Sequence, residues 1–112
     1  MNIEFKNVGA VLVARVVDKR IDAQAGPDLK AKVGARIEQG AHRLVLDLSE
    51  VEFVDSTGLG AVLSLVKRVP AGGNLVLCGC RTALVELMRL TRLDRVFRLF
   101  ASEAEAVASF PA

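Results

Sequence analysis

A chain of 112 residues, 52% hydrophobic and 25% charged, has the balance of one folded domain over residues 1–112, with enough apolar side chains to fill a core. Fifteen basic and thirteen acidic residues leave a net charge of +2, too little to point to nucleic acid or an anionic membrane. No apolar run approaches the roughly 18 residues of a bilayer span, and the opening Met1-Asn2-Ile3-Glu4-Phe5-Lys6 lacks the order of a secretory signal, so a cytoplasmic protein is predicted.

Residues 3–6 and 10–17 read as two strands joined by a turn at Asn7-Val8-Gly9, an antiparallel hairpin at the edge of a sheet. Ala25-Gly26-Pro27-Asp28 then opens a helix: Pro27 suits the first helical position and Asp28 the positive end of the dipole. Leu29, Val33 and Ile37 give it one apolar face, and Gly40 closes it. Residues 44–48, apolar except for Asp47, form a strand buried on both faces, reached by a parallel crossover.

A second helix follows Asp55-Ser56-Thr57, with Leu59, Val62, Leu63, Val66 and Val69 turned inward, and Pro70-Ala71-Gly72-Gly73 ends it. Residues 74–78 make the next strand, 82–91 a helix with Leu84, Leu87 and Met88 inward, and 96–99 a short strand. Ser102-Glu103-Ala104-Glu105 matches a capping box, so a last helix runs to about Phe110. The order ββαβαβαβα predicts an α/β fold: a small mixed, mostly parallel sheet with an N-terminal antiparallel hairpin and about four helices.

In such a fold the loops that follow the strands emerge on one edge of the sheet, which brings Asp22, Asp47, Ser49, Asp55, Ser56 and Cys80 to a common side. Asp, Ser and Thr before a helix are first of all N-caps. Gly58 and Gly60 add something more, because each costs about 1 kcal/mol of helix propensity relative to alanine. A helix start that accepts this cost needs a close approach, by its own sheet or by a partner.

Asp55-Ser56-Thr57-Gly58-Leu59-Gly60, preceded by Leu44-Val45-Leu46-Asp47-Leu48, resembles the central motif of the STAS domain of anti-sigma factor antagonists. The resemblance extends over nearly the whole chain, through Arg20-Ile21-Asp22-Ala23 and Leu90-Thr91-Arg92-Leu93-Asp94-Arg95-Val96-Phe97. It implies a phospho-switch and not an enzyme: the unphosphorylated form binds an anti-sigma factor that is also a serine kinase, and releases the sigma factor. Ser56 would be the phosphate acceptor, and a separate serine phosphatase would reverse the mark. Asp55, Ser56, Thr57, Gly58 and Leu59 would form the docking surface, flanked by Asp22 and Asp47. One departure concerns Arg92, which stands where relatives often have a glycine in a left-handed helix cap.

Other chemistries find little support. Asp-Ser-Thr-Gly differs from the aspartic-protease motif, in which glycine comes two residues after the aspartate. Ser-His-Asp catalysis would need His42, the one histidine, which precedes a strand at the edge opposite Ser56. Cys78, Cys80 and His42 are too few and too scattered to hold a metal, and Gly58-Leu59-Gly60 lacks the lysine of a phosphate-binding loop, so neither metal nor cofactor is expected. The two cysteines read as buried thiols. Arg81, Arg89, Arg92, Arg95 and Arg98, against Glu86 and Asp94, form either a solvated face or a selector for an acidic partner. Two further readings stay open: a constitutive STAS subunit of a transport or signalling complex in which residues 55–57 merely cap a helix, and a nucleotide hydrolase.

Overall fold

The computed structural model describes residues 1–111. β1 (Ile3–Val8) and β2 (Val11–Val16) pair antiparallel with Val8 opposite Val11, so the turn is Gly9-Ala10 and falls later than the residues 7–9 expected. Gly9 holds φ at +59°, which lets two residues close the hairpin and leaves Asn7 and Val8 free to extend the strand. The chain continues as β3 (Arg20–Ile21), α1 (Gly26–Glu38), β4 (Arg43–Asp47), β5 (Phe53–Val54) and α2 (Ser56–Arg68). It ends with β6 (Asn74–Cys78), α3 (Thr82–Leu90), a 3-10 turn (Leu93–Arg95), β7 (Leu99–Phe100) and α4 (Glu103–Ala108). The main sheet has the order β1-β2-β4-β6-β7 and is parallel except for the hairpin, the mixed α/β architecture that the sequence pattern predicts.

Alternation along the central strands decides which helix covers which face. Leu12, Ala14 and Val16, Leu44 and Leu46, and Leu75 and Leu77 point to the side of α1, α2 and α3, where they meet Leu29, Val33, Leu59, Val62, Leu65, Leu84 and Met88. Val11, Val13, Val45, Val76 and Cys78 point the other way, to a smaller core closed by Ala106 of α4 with Val107 and Phe110. Ser102 caps α4 by accepting a hydrogen bond from the Glu105 N–H at 3.2 Å, as the capping box predicts.

The inward face of α2 and the position of the last strand differ from expectation. The buried face of α2 is Gly58, Leu59, Ala61, Val62 and Leu65, while Leu63, Val66 and Val69 are half-buried. The cause is that α2 packs against α1 as well as the sheet, which draws Ala61 and Leu65 into the covered arc. The last strand lies at Leu99–Phe100 and not at residues 96–99, because the 3-10 turn takes up the chain and Phe97, 3% exposed, plugs the core. No helix among the described residues is long and apolar enough to cross a membrane.

Arg92 adopts φ +61° and ψ +18°, the only non-glycine residue with positive φ among those described. The expected left-handed cap is therefore kept, on a residue whose Cβ opposes it. Arg92→Gly should raise stability by roughly 0.5–1 kcal/mol, the steric relief exceeding the extra entropy of the unfolded glycine. Urea unfolding monitored by circular dichroism reads this as a higher midpoint with an unchanged slope.

Candidate functional site

The site is built on a two-stranded parallel ladder that short apolar patterns do not announce. β3 and β5 pair with Arg20 opposite Phe53 and Ile21 opposite Val54. The Lys19 carbonyl accepts from the Glu52 and Phe53 N–H groups at 2.7 and 3.1 Å, and the Ile21 carbonyl accepts from the Asp55 N–H at 3.2 Å. Ile21 and Val54 are buried and anchor the ladder in the main core. Asp22 and Asp55 leave it as neighbours, Asp55 as the N-cap of α2 and Asp22 in the turn that leads into α1.

Asp22 accepts hydrogen bonds on Oδ1 from the Gln24 and Ala25 N–H groups, both at 3.1 Å, while its carbonyl receives the Gly26 N–H at 2.8 Å. Asp55 is the N-cap of α2: its backbone is extended, its Oδ1 accepts from the Gly58 N–H at 2.8 Å, and its carbonyl receives the Leu59 N–H at 2.8 Å. The two helix starts touch, since a Cβ on Gly26 would lie 3.5 Å from the Ala61 Cβ and 3.8 Å from the Thr57 carbonyl oxygen. Ser56 and Thr57, on the first turn of α2, are exposed. The cap is thus made by Asp55, and the Ser56 hydroxyl is presented to solvent at the positive end of the helix.

The two glycines of the motif have different reasons. A Cβ on Gly58 would sit 2.0 Å from the Ile21 carbonyl oxygen, so the close approach there is made by the chain's own ladder. At Gly60 a Cβ would meet nothing within 4 Å.

Of the residues expected to dock a partner, Ser56 and Thr57 are open and Asp22 and Asp55 are half-buried on the same rim. Gly58 and Leu59 are buried, which makes them supports of the site and removes them from its surface. Asp47 is also buried, and it points to the α4 side of the sheet, on the face opposite α2, where its Oδ1 accepts from the Ser49 N–H at 2.9 Å. The expectation that Asp47 flanks Ser56 is corrected by strand alternation, which sends its side chain the same way as that of Val45.

Burial, reinforced by the Asp47 carboxylate, pushes the Cys78 thiol up to about 12 and the Cys80 thiol up to about 11, so neither is a nucleophile at neutral pH. His42 is exposed at the start of β4, with Nδ1 3.2 Å from the Gly40 carbonyl oxygen. Among the described residues no group of His, Cys, Asp or Glu is placed to hold a metal ion.

Sequence periodicity gave no signal for Arg20 and Phe53. The Arg20 guanidinium lies 4.4 Å from the centre of the Phe53 ring and 3.7 Å from the Asp22 carboxylate, so a cation stacked on a half-exposed aromatic borders the acidic rim. The hydrogen bond from Ala25, followed by those from Gln24 and Arg20, holds the Asp22 carboxyl below the usual carboxylate range.

Comparison with known proteins agrees with this geometry. The family model of the STAS domain matches residues 2–106. An anti-sigma-B factor antagonist of Listeria monocytogenes is 32% identical over 108 residues, 94% of this chain and 93% of the relative. One from Bacillus subtilis is 34% identical over 88 residues, 78% of this chain and 80% of the relative. The crystal structure of an anti-sigma factor antagonist from Mycobacterium paratuberculosis matches with a TM-score of 0.88 and 26% identity, covering 96% of this chain and 92% of that one.

Gly58→Ala should destabilise the fold by roughly 2–3 kcal/mol, because the methyl group must displace backbone. Gly60→Ala should stabilise it by about 1 kcal/mol through helix propensity. Chemical denaturation of the pair separates the two roles, and equal effects would refute them. The depressed Asp22 carboxyl contributes stability at pH above its unfolded value of about 3.9, and loses it only as pH falls through the lower folded value. A carboxyl NMR titration should place the Asp22 midpoint below about 3.9, and Asp22→Asn should flatten the acid limb of the stability profile.

Proposed function

The chain belongs to the STAS domain family, and from that premise we propose that it is an anti-sigma factor antagonist switched by phosphorylation of Ser56. As a single cytoplasmic domain of residues 1–112, its unphosphorylated form binds an anti-sigma factor with serine kinase activity and frees the sigma factor. Phosphate on Ser56 ends that binding, and a serine phosphatase restores it. The observation that carries the reading is the division of labour at the start of α2: Asp55 supplies the cap, so the exposed Ser56 hydroxyl is free to be modified. Asp22, Asp55, Ser56 and Thr57 form the contact rim, with Gly58 and Leu59 holding it from beneath and Asp47 fixing the loop after β4 from the far face.

Phosphorylation adds about −1.5 to −2 charges and strong acceptor oxygens. At a helix N-terminus the free N–H groups and the dipole accommodate them, so the fold keeps its shape. A partner seated over Ser56 instead meets added bulk, a desolvation cost and repulsion from its own acidic groups or bound nucleotide phosphates. A loss of about 3 kcal/mol in that contact weakens binding somewhat more than a hundredfold, enough for a switch. The chain needs no catalytic base of its own, since the kinase and phosphatase bring the chemistry.

Unmodified protein and Ser56→Asp, each used to capture partners from the source cells, should differ by the loss of a serine kinase. That kinase with ATP should then add one phosphate, which peptide mass spectrometry places on Ser56. If Ser56→Ala and Ser56→Asp hold the kinase with equal affinity, the switch is wrong and a constitutive STAS subunit takes its place.

A further inference from the structure

A second surface adjoins the contact rim and is not used by the Ser56 chemistry. Between β5 and α3 runs a groove of about 270 Å³ whose apolar walls include Phe53, Val54, Ala83, Leu84 and Leu87. Ala83 and Leu87 continue at helical spacing to Leu90, which is 73% exposed, and Phe53 on the opposite wall is 43% exposed. Single exposed apolar residues need no explanation, but a groove with an apolar stripe leading out of it does.

The charge around this groove is uneven. Residues 81–98 carry five arginines and two carboxylates, so this one segment exceeds the net charge of +2 of the whole chain. Glu86 is engaged by Arg89, and among the described residues no ion pair joins Arg81, Arg92 or Arg95 to a carboxylate. Arg81 lies at the start of α3, and Arg92 and Arg95 lie just beyond its end. The apolar stripe therefore runs between cations at both ends.

We propose that this face docks an acidic amphipathic helix of the partner protein, with its aliphatic side chains in the groove and along Leu90 and its carboxylates against Arg81, Arg92 and Arg95. Anchors at i, i+3 and i+4 suit such a groove, and guanidinium groups are the cations best matched to carboxylates. A second copy of the chain would bring arginine against arginine. A helix can turn its aliphatic side chains to the wall that carries Glu52 and its carboxylates to the arginines. A nucleic acid has no aliphatic side chains for the stripe, and a flat lipid surface does not reach into the groove. The inference rests on the partner-binding reading of Ser56 for its context, because Val54 of the groove leads straight into Asp55 and Ser56, and one partner covers both.

The probe is a synthetic helix with leucine on one face and glutamate on the other, and its control replaces every glutamate with lysine. Each is titrated into the isotope-labelled full chain and followed by backbone NMR. The glutamate helix should shift Phe53, Ala83, Leu87 and Leu90, and should bind at least about tenfold tighter than the lysine helix, with salt weakening it. Leu90→Glu, and Arg92→Glu with Arg95→Glu, should each reduce binding about tenfold; these side chains are exposed, and circular dichroism verifies that the fold is kept. Equal binding of the two helices, no binding, or shifts confined to other surfaces overturns the proposal. So does sedimentation showing that the face pairs two copies, or its preferring phosphatidylserine vesicles or duplex DNA to the glutamate helix. The titration involves neither the kinase nor modification of Ser56, so its failure leaves the switch standing, and failure of the switch leaves the titration to be judged by itself.

Discussion

The structure turns on the space above Gly58. The Ile21 carbonyl occupies the place where any side chain at position 58 would go, and the same carbonyl receives the Asp55 N–H. One oxygen therefore sets both the pairing of β3 with β5 and the distance from that ladder to α2. Because Asp22 follows Ile21 directly and its carbonyl accepts the Gly26 N–H at the start of α1, this contact also brings the two helix starts together. The exposed rim of Ser56, Thr57, Asp22 and Asp55 is the outer surface of that junction. Buried residues beneath it contribute by position: Leu59 and Val54 fill the core, and the glycine gives the backbone room to approach.

The large elements were legible in the sequence because they carry periodic burial. The strand 74–78 has the observed bounds, α1 starts where Pro27 and Asp28 indicate, and the capping box at Ser102 forms as written. The small elements were not. A two-residue strand such as Arg20–Ile21 shows no alternation to detect, and its partner Phe53–Val54 is equally short. Their pairing depends on residues far apart in the chain, so no local propensity reveals it. The misplacement of Asp47 has a related cause: the edge of the sheet follows from topology, but the face depends on strand parity, and parity puts Asp47 with Cys78 under α4. The role of Gly58 was legible as a need for close approach, while the identity of the approaching group required the fold.

Electrostatics in this chain are local. Exposed ion pairs such as Arg15 with Glu4 and Glu50, or Arg68 with Glu38, tie neighbouring segments and contribute modestly in water. The arrangement with functional consequence is the contrast between two adjacent surfaces, an acidic rim at Asp22 and Asp55 and an arginine-rich segment on α3 and beyond. A partner spanning both must present complementary charge to each, and this restricts the surfaces able to bind in the correct orientation.

The far side of the sheet has its own consequence. The Cys78 thiol lies there, while Cys80, just beyond β6, packs against the main core, and burial with the nearby Asp47 carboxylate raises both thiols. Oxidants attack thiolates, and at neutral pH these cysteines supply almost none. The burial and the carboxylate that close this part of the sheet therefore also make both thiols poor targets for oxidation.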